Sequence, residues 1–204
     1  MADPIQFIFA IAVLIFSVVV HEVSHGVMAL RLGDQTAKRL GRLTLNPIPH
    51  LDLVGSFILP VLLYALNAPI LLGWAKPVPY NPVFFKDQKY GSLKVALVGP
   101  LSNLGLAVVF GLIIQGLGGL LTTQMVEFLS YIVLINSLLF IFNIMPVPPL
   151  DGSKVLAAFL PPRLAYRMEH VGLEGLFLIL IFLYFFSDFI FGSAFGLFRF
   201  LTGT

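Results

Sequence analysis

FIFAIAVLIFSVVVHEVSH, residues 7–25, is an apolar run that ends in two histidines and a glutamate. Apart from Ser17, no polar residue precedes His21 within it. Its length predicts a membrane-spanning helix, which needs roughly 20 mainly apolar residues. Ionisable side chains are costly within lipid, so His21, Glu22 and His25 indicate a functional site inside the membrane.

The composition of the whole chain is that of an integral membrane protein. Of its 204 residues, 58% are hydrophobic and only 11% are charged, and the mean hydropathy is +0.98. No stretch is polar enough to be a soluble module, so we expect one membrane-embedded domain over residues 1–204. The absence of cysteine excludes thiolate ligands, so any metal must be held by histidines and carboxylates. A net charge of +2 does not indicate a nucleic-acid partner.

Five apolar stretches predict how the chain crosses the membrane. They cover residues 4–32, 51–73, 92–118, 126–147 and 171–200. Cytoplasmic loops are enriched in Lys and Arg, and every basic residue except Arg199 follows the first, second or fourth stretch. If these loops are all cytoplasmic, stretch 51–73 enters and leaves on the same face, and its Pro60 and Pro69 interrupt a helix. We therefore predict an all-α polytopic fold of four transmembrane helices plus a re-entrant, partly non-helical segment, with a fifth span as the alternative.

This topology predicts that both termini lie outside the cell and that the polar site faces the cytoplasm. His21 precedes Leu32 by 11 residues, which is about 16 Å along a helix. The site would therefore lie within the bilayer, nearer its cytoplasmic side.

The spacing of the polar residues favours a metal site. His21 and His25 are one helical turn apart, so their ring nitrogens can bind one ion. Glu22 projects about 100° away, where it can take a proton from a water on the metal. A single buried histidine or glutamate could instead serve as a hydrogen-bond donor between helices or a proton relay. All three at this spacing, in so apolar a context, favour metal binding.

A catalytic zinc ion needs a third protein ligand. The strongest candidate is Asp151 in NIMPVPPLDG (143–152), whose prolines unwind the chain at the end of the fourth stretch. By residue type alone, Asp151 is equally well the N-cap of the helix that follows. The other titratable residues at a plausible depth are His50, Asp52, Glu127, Glu169, His170, Glu174 and Asp188.

The motifs HEVSH and NIMPVPPLDG, in this order, resemble the site-2 protease family of intramembrane zinc metalloproteases. Three further stretches look like its compact bacterial and archaeal branch, which lacks PDZ and CBS domains. They are GDQTAKRLGRLTLNPIPHLDLVG (33–55), GWAKPVPYNP (73–82) and GPLSNLGLAVVF (99–110).

The resemblance implies that His21, His25 and Asp151 bind one Zn²⁺ and that Glu22 is the catalytic base. It also implies that Asn143 assists substrate positioning or transition-state stabilisation. The expected activity is that of a zinc metalloendopeptidase in a prokaryotic plasma membrane, which cleaves in or near the transmembrane segment of a membrane-anchored protein. The expected partners are this substrate and the lipid bilayer.

Weaker signals leave alternatives open. Gly99 and Asn103 in GPLSN could hold a substrate groove, but a Gly-Pro pair at the start of a membrane helix is the simpler interpretation. Gly192 and Gly196 have the small-xxx-small spacing of some helix dimers, which leaves a homo-oligomer open. A zinc transporter or an inactive protease-like scaffold could use the same ligands, but neither needs Glu22 beside the first histidine.

Overall fold

The computed structural model describes residues 4–58, 62, 75–169, 171 and 174–204, and these residues form helices and connecting loops without a strand. The α-helices are α1 (Pro4–Arg31), α2 (Thr36–Arg39), α3 (Gly91–Leu117), α4 (Thr123–Asn143), α5 (Asp151–Ala157), α6 (Pro162–Glu169) and α7 (Glu174–Thr202). Helices α1, α3, α4 and α7 contain segments long and apolar enough to cross a membrane. Over the residues that the structure describes, the predicted all-α fold with four helices able to span a membrane is therefore confirmed.

The stretch predicted to be re-entrant is described only in part. A π-helical turn covers Leu53–Ile58. Residues 59–61 and 63–74, including Pro60 and Pro69, lie outside the described residues. Neither the re-entrant path nor the alternative fifth span is therefore tested.

Local chemistry explains where the spanning helices end. Helix α1 has proline at its first position, where no hydrogen-bond donor is needed. It stops before Gly33, whose φ of 111° suits glycine. Helix α4 ends at Asn143, four residues short of the predicted end of the stretch 126–147, because the prolines that start at Pro146 cannot continue the helical hydrogen bonds.

Helix α3 is the centre of the bundle and packs against α1, α4, α5 and α7. Close approach depends on small residues, as is usual between membrane helices. A Cβ on Gly111 of α3 would lie 2.6 Å from the carbonyl oxygen of Leu201 in α7. The outer surface of α7 is left to lipid, since only 11% of its span is buried within the protein. Its many phenylalanines are accordingly mostly exposed.

Two hydrogen bonds show which helix ends lie together. The side chain of Gln6, near the start of α1, donates to Glu127, near the start of α4. Gln115, near the end of α3, donates to the carbonyl oxygen of Leu201, near the end of α7. A short loop also joins α3 to α4. Both ends of the described chain therefore lie at one end of the bundle, opposite the basic loops, although which end faces the cytoplasm stays a prediction.

Candidate metal centre

Three side chains from two distant parts of the chain converge inside the bundle. The Nε2 atoms of His21 and His25 lie 3.0 Å apart, and each lies 3.0 Å from Oδ2 of Asp151. Each of the three residues is only 6% exposed. Among the described residues, this is the one group of three or more His, Cys, Asp or Glu side chains placed to hold a metal ion.

The opposite atom of each of these side chains is held by a different partner. His21 Nδ1 lies 2.7 Å from Oδ1 of Asn103. His25 Nδ1 lies 2.6 Å from the carbonyl oxygen of Val95. Asp151 Oδ1 accepts a hydrogen bond from the Lys154 ammonium at 3.3 Å. These contacts leave Nε2, Nε2 and Oδ2 facing one another, as expected for metal ligands whose orientation is set by outer hydrogen bonds.

The geometry fits a zinc ion. Because a carbonyl oxygen can only accept, His25 carries its proton on Nδ1 and presents the Nε2 lone pair to the Asp151 carboxylate. Lone pairs 3.0 Å apart repel unless a proton or a metal cation lies between them. Tetrahedral zinc with bonds of about 2.0–2.2 Å separates its ligands by about 3.3–3.6 Å. The three ligand atoms would need to spread by only a few tenths of an ångström.

Helix α3 reaches this centre through a glycine. A Cβ on Gly99 would lie 2.4 Å from Cε1 and Nε2 of His25 and 2.7 Å from Nε2 of His21. The neighbouring Pro100 lies inside α3, nine residues after its start at Gly91. The interpretation of Gly-Pro as a helix start is therefore wrong, and the absence of a side chain at Gly99 makes room for the two imidazoles.

Asp151 arrives from the segment that follows α4. This segment turns sharply, with Leu150 N donating to Val147 O at 2.9 Å, and α5 begins at Asp151. A Cβ on Gly152 would lie 2.1 Å from the carbonyl oxygen of Ile144, so glycine is required where the segment folds back on the end of α4. The N-cap of α5 is Leu150, and the Asp151 carboxylate faces the two histidines instead of capping the helix.

Glu22 is fixed beside the centre by a main-chain group. Its Oε2 accepts a hydrogen bond from the backbone N–H of Val78 at 2.8 Å. The Val78 segment approaches α1 closely because Gly26, one turn after Glu22, has no side chain: a Cβ there would lie 2.8 Å from Val78 Cγ1. Val78 itself is only 3% exposed. One carboxylate oxygen of Glu22, the residue that follows His21, is therefore held by the main chain, and the other oxygen is not engaged by this bond.

Three residues that follow α1, namely Asp34, Arg42 and His50, hold the non-helical segment around Val78 in place. The Arg42 guanidinium donates to the carbonyl oxygen of Lys76 at 2.7 Å, and Lys76 N donates to His50 O at 2.8 Å. Asp34 Oδ2 accepts from the backbone N–H of Asn81 at 2.7 Å. Burial raises the pKa of the Asp34 carboxyl, but hydrogen bonds from Thr36 and Asn81 outweigh it and hold that pKa below its usual range.

The other candidates for a third ligand do not join the centre. The His50 ring bonds the carbonyl oxygen of Thr44, and Asp52 accepts from the backbone N–H groups of Val54 and Gly55. Glu127 pairs with Gln6 near the other end of the bundle. Glu174 and Asp188 are outside the cluster of possible metal ligands. His170 and the side chain of Glu169 lie outside the described part of the protein. Asn143 ends α4, and its amide donates to Leu139 O within the same helix.

Sequence reasoning missed several groups that surround the centre. Lys154 follows Asp151 by one helical turn, and Asn136 is an isolated amide in an apolar span, which is itself a signal of function. Ser17 precedes His21 by one turn on the same face of α1. The main-chain groups of Val78 and Val95 carried no signal, because every residue other than proline has the same N–H and C=O groups.

The fold and this centre define an integral membrane protein of the HExxH metalloprotease class, and comparison with known proteins agrees. The chain is 36% identical over 180 residues to "Putative zinc metalloprotease YwhC" of Bacillus subtilis, covering 85% of this chain and 78% of that protein. It is 27% identical over 177 residues to "Putative zinc metalloprotease Rip2" of Mycolicibacterium smegmatis, covering 87% and 67%. No protein-family model and no solved structure matches the chain.

The chain therefore belongs to the site-2 protease family, as its two motifs predict. The names of its relatives support a metalloprotease that uses Zn²⁺, and the side chains of His21, His25 and Asp151 form a group that could bind this ion.

Proposed function

We propose that the protein is an intramembrane zinc endopeptidase that hydrolyses peptide bonds in or near the transmembrane segments of membrane-anchored proteins. The observation that carries the proposal is the convergence of Asp151 on His21 and His25 of α1, the spanning helix that also carries Glu22. His21 lies ten residues before the end of α1 at Arg31, or about 15 Å along the helix. Chemistry at that depth acts on peptide bonds that lie within the membrane.

His21, His25 and Asp151 would hold the metal through Nε2, Nε2 and Oδ2. When bound there, Zn²⁺ supplies a Lewis acid that activates water and polarises the scissile carbonyl group. The Lys154 ammonium holds the second carboxylate oxygen of Asp151 at 3.3 Å. This contact favours a carboxylate that binds the metal through one oxygen, which leaves room for water and substrate.

Glu22 acts as general base and then as general acid. Its Oε2 is anchored by the Val78 N–H at 2.8 Å, so Oε1 is the oxygen that receives a proton from the attacking water. The same carboxyl group returns the proton to the leaving amine. We assign Asn143 to substrate positioning, and for that contact its amide must give up the hydrogen bond to Leu139 O at 3.0 Å.

The substrate must reach a buried centre in an extended form. A transmembrane helix engages its carbonyl groups in its own hydrogen bonds, so it has to unwind locally before a carbonyl can be attacked. Water would enter from the basic end of the bundle, which the excess of Lys and Arg assigns to the cytoplasm. The substrate would thus be a membrane-anchored protein that meets the centre from within the bilayer.

The test compares purified wild-type protein with Glu22→Gln for zinc content and for cleavage of a panel of single-span proteins. Glutamine keeps an acceptor for the Val78 N–H but cannot take a proton. We expect Glu22→Gln to retain one zinc per chain and to lose cleavage by about 10²–10⁴-fold, the range for removal of a general base. The matched control is Glu174→Gln at the start of α7, outside the candidate metal group, which should cleave like wild type.

The other outcomes separate the rival functions. Cleavage by Glu22→Gln at the wild-type rate would refute the assignment of the base. Zinc uptake into vesicles without any cleavage would identify a transporter, and bound zinc with neither activity would identify a scaffold. Wild-type protein without stoichiometric zinc would contradict the proteolytic mechanism.

A further inference from the structure

A buried chain of hydrogen bonds joins His21 to two neighbouring helices. Asn103 of α3 contacts His21, Asn136 of α4 contacts Asn103, and Ser17 of α1 contacts both amides. Asn103 and Asn136 are 0% exposed, and Ser17 is 3% exposed. This network lies behind the imidazole, on the side away from Asp151, and the proteolytic mechanism gives it no role.

The main chain fixes the direction of every hydrogen bond in the network. Asn136 Nδ2 donates to the carbonyl oxygen of Ile132 and to Ser17 Oγ, both at 2.9 Å. Its Oδ1 therefore faces Asn103 and accepts from Asn103 Nδ2 at 3.0 Å. Asn103 Nδ2 also donates to the carbonyl oxygen of Ser17 at 3.2 Å. Carbonyl oxygens can only accept, so reversing either amide would place its oxygen against another oxygen acceptor inside the protein.

The last hydrogen bond of this network is made to the His21 imidazole. With both amides oriented in this way, Asn103 presents Oδ1, an acceptor, to Nδ1 of His21 at 2.7 Å. That nitrogen must then carry a proton, so in the neutral imidazole Nε2 is left with its lone pair pointing at His25 and Asp151. A neutral imidazole without such a partner divides between two tautomers, and only one of them can bind a metal through Nε2.

We propose that Asn103, oriented by Asn136, is a positioning residue that fixes the tautomer and ring orientation of His21 for metal binding. The consequence for catalysis rests on the proposed function, but the effect on His21 does not. Asn103 is completely buried and both ends of its amide are engaged, so it supports a ligand instead of contacting substrate in a groove. Asn136 acts through Asn103, since no bond joins it to His21 among the described contacts.

The first experiment measures zinc affinity by competition with a chelating indicator. We expect Asn103→Leu, which keeps the approximate size of the side chain but removes the acceptor, to weaken zinc binding by about 10–100-fold, the usual effect of losing such a partner. Asn136→Leu should weaken it by less than about tenfold, because Ser17 O still holds Asn103. The double variant should bind no more weakly than Asn103→Leu, because the two residues act in series.

Two further variants separate this role from general packing. Asn103→Asp retains an acceptor for His21 Nδ1 and should keep zinc affinity closer to wild type than Asn103→Leu does. Ser137→Ala is the matched control, because Ser137 lies beside Asn136, is 0% exposed, and its Oγ has no hydrogen-bond partner among the described residues. It should leave zinc affinity unchanged. If Asn103→Asp loses as much affinity as Asn103→Leu, or Asn103→Leu binds like wild type, the proposal is overturned.

The second experiment reads the tautomer directly in metal-free protein by ¹⁵N NMR of labelled histidine in detergent. The wild-type His21 should show a protonated Nδ1 and an unprotonated Nε2, and Asn103→Leu should show a mixture. Equal tautomer populations in wild type would refute the proposal even if the variants bound zinc weakly. Because neither readout uses cleavage, a wild-type protein that binds zinc but cleaves nothing would count against the proposed function and not against this role for Asn103.

Discussion

Gly99→Ala is the sharpest test of the metal centre, because the added atom enters the space that the imidazoles occupy. The new Cβ would lie 2.4 Å from two atoms of the His25 ring and 2.7 Å from Nε2 of His21, whereas ordinary contacts begin at 3.4 Å. The shortfall is therefore about 1.0 Å at His25 and 0.7 Å at His21. Metal–ligand distances tolerate only about ±0.2 Å, so at least one histidine must leave the site.

The magnitude follows from the loss of one ligand. Apparent zinc binding by four-ligand sites is worth about 10–16 kcal/mol, or about 3 kcal/mol for each ligand. A loss of about 3 kcal/mol corresponds to an affinity lower by about 100-fold. Overpacking should also cost about 1–3 kcal/mol in the free energy of unfolding.

The assay is zinc content after dialysis against a chelating buffer, together with a melting curve for each variant. Gly105→Ala is the matched control, since it lies on the same helix and a Cβ there has no neighbour within 4 Å. It should bind zinc and melt like wild type. Full zinc content in Gly99→Ala, at wild-type affinity, would show that α3 does not approach the histidines as the structure describes.

Two other substitutions probe the segments that position the centre. Gly152→Ala should also lose zinc binding by about 100-fold, because its Cβ would lie 2.1 Å from the backbone of Ile144 and α5 must move with Asp151; normal zinc binding would contradict this. Asp34→Asn should lower the free energy of unfolding at pH 7 by about 1–3 kcal/mol, because it replaces the carboxylate that accepts from Asn81 N–H. Unfolding curves in detergent at several pH values measure this difference.

The pH dependence of the Asp34 effect has a definite sign. The folded protein holds the pKa of the Asp34 carboxyl below its usual value of 3.8. Its contribution to stability is thus complete above the unfolded pKa and disappears as the pH falls through the lower folded value. The difference between wild type and Asp34→Asn should be constant from pH 7 to about pH 5 and should shrink below about pH 4. A difference that grows on acidification would contradict the hydrogen-bonding scheme.

The predicted helices and the observed ones agree because the signals for them are local. Apolar length marks α1, α3, α4 and α7, and the prolines after Asn143 mark the break that leads to Asp151. By residue type alone Asp151 is equally a ligand or a helix cap, and only the family resemblance favours the ligand. The interpretation of the Gly-Pro pair at Gly99 as a helix start is wrong. The histidines of α1 that Asp151 and Gly99 contact are about 75 to 130 residues away in the chain.

Local sequence signals also predict some residues of the centre, whereas the groups that support these residues depend on the tertiary structure. The helical period alone puts His21 and His25 on one face of α1, with Glu22 beside them, and apolar length puts them within a membrane span. Only the packing of three helices brings Asp151 within 3.0 Å of both histidines. The same packing supplies the amide of Asn103 and the carbonyl group of Val95, and the non-helical segment 75–81 supplies the N–H of Val78. Main-chain groups are the same in almost every residue. Their part in the site therefore depends on where the fold places them and cannot be predicted from the amino-acid sequence.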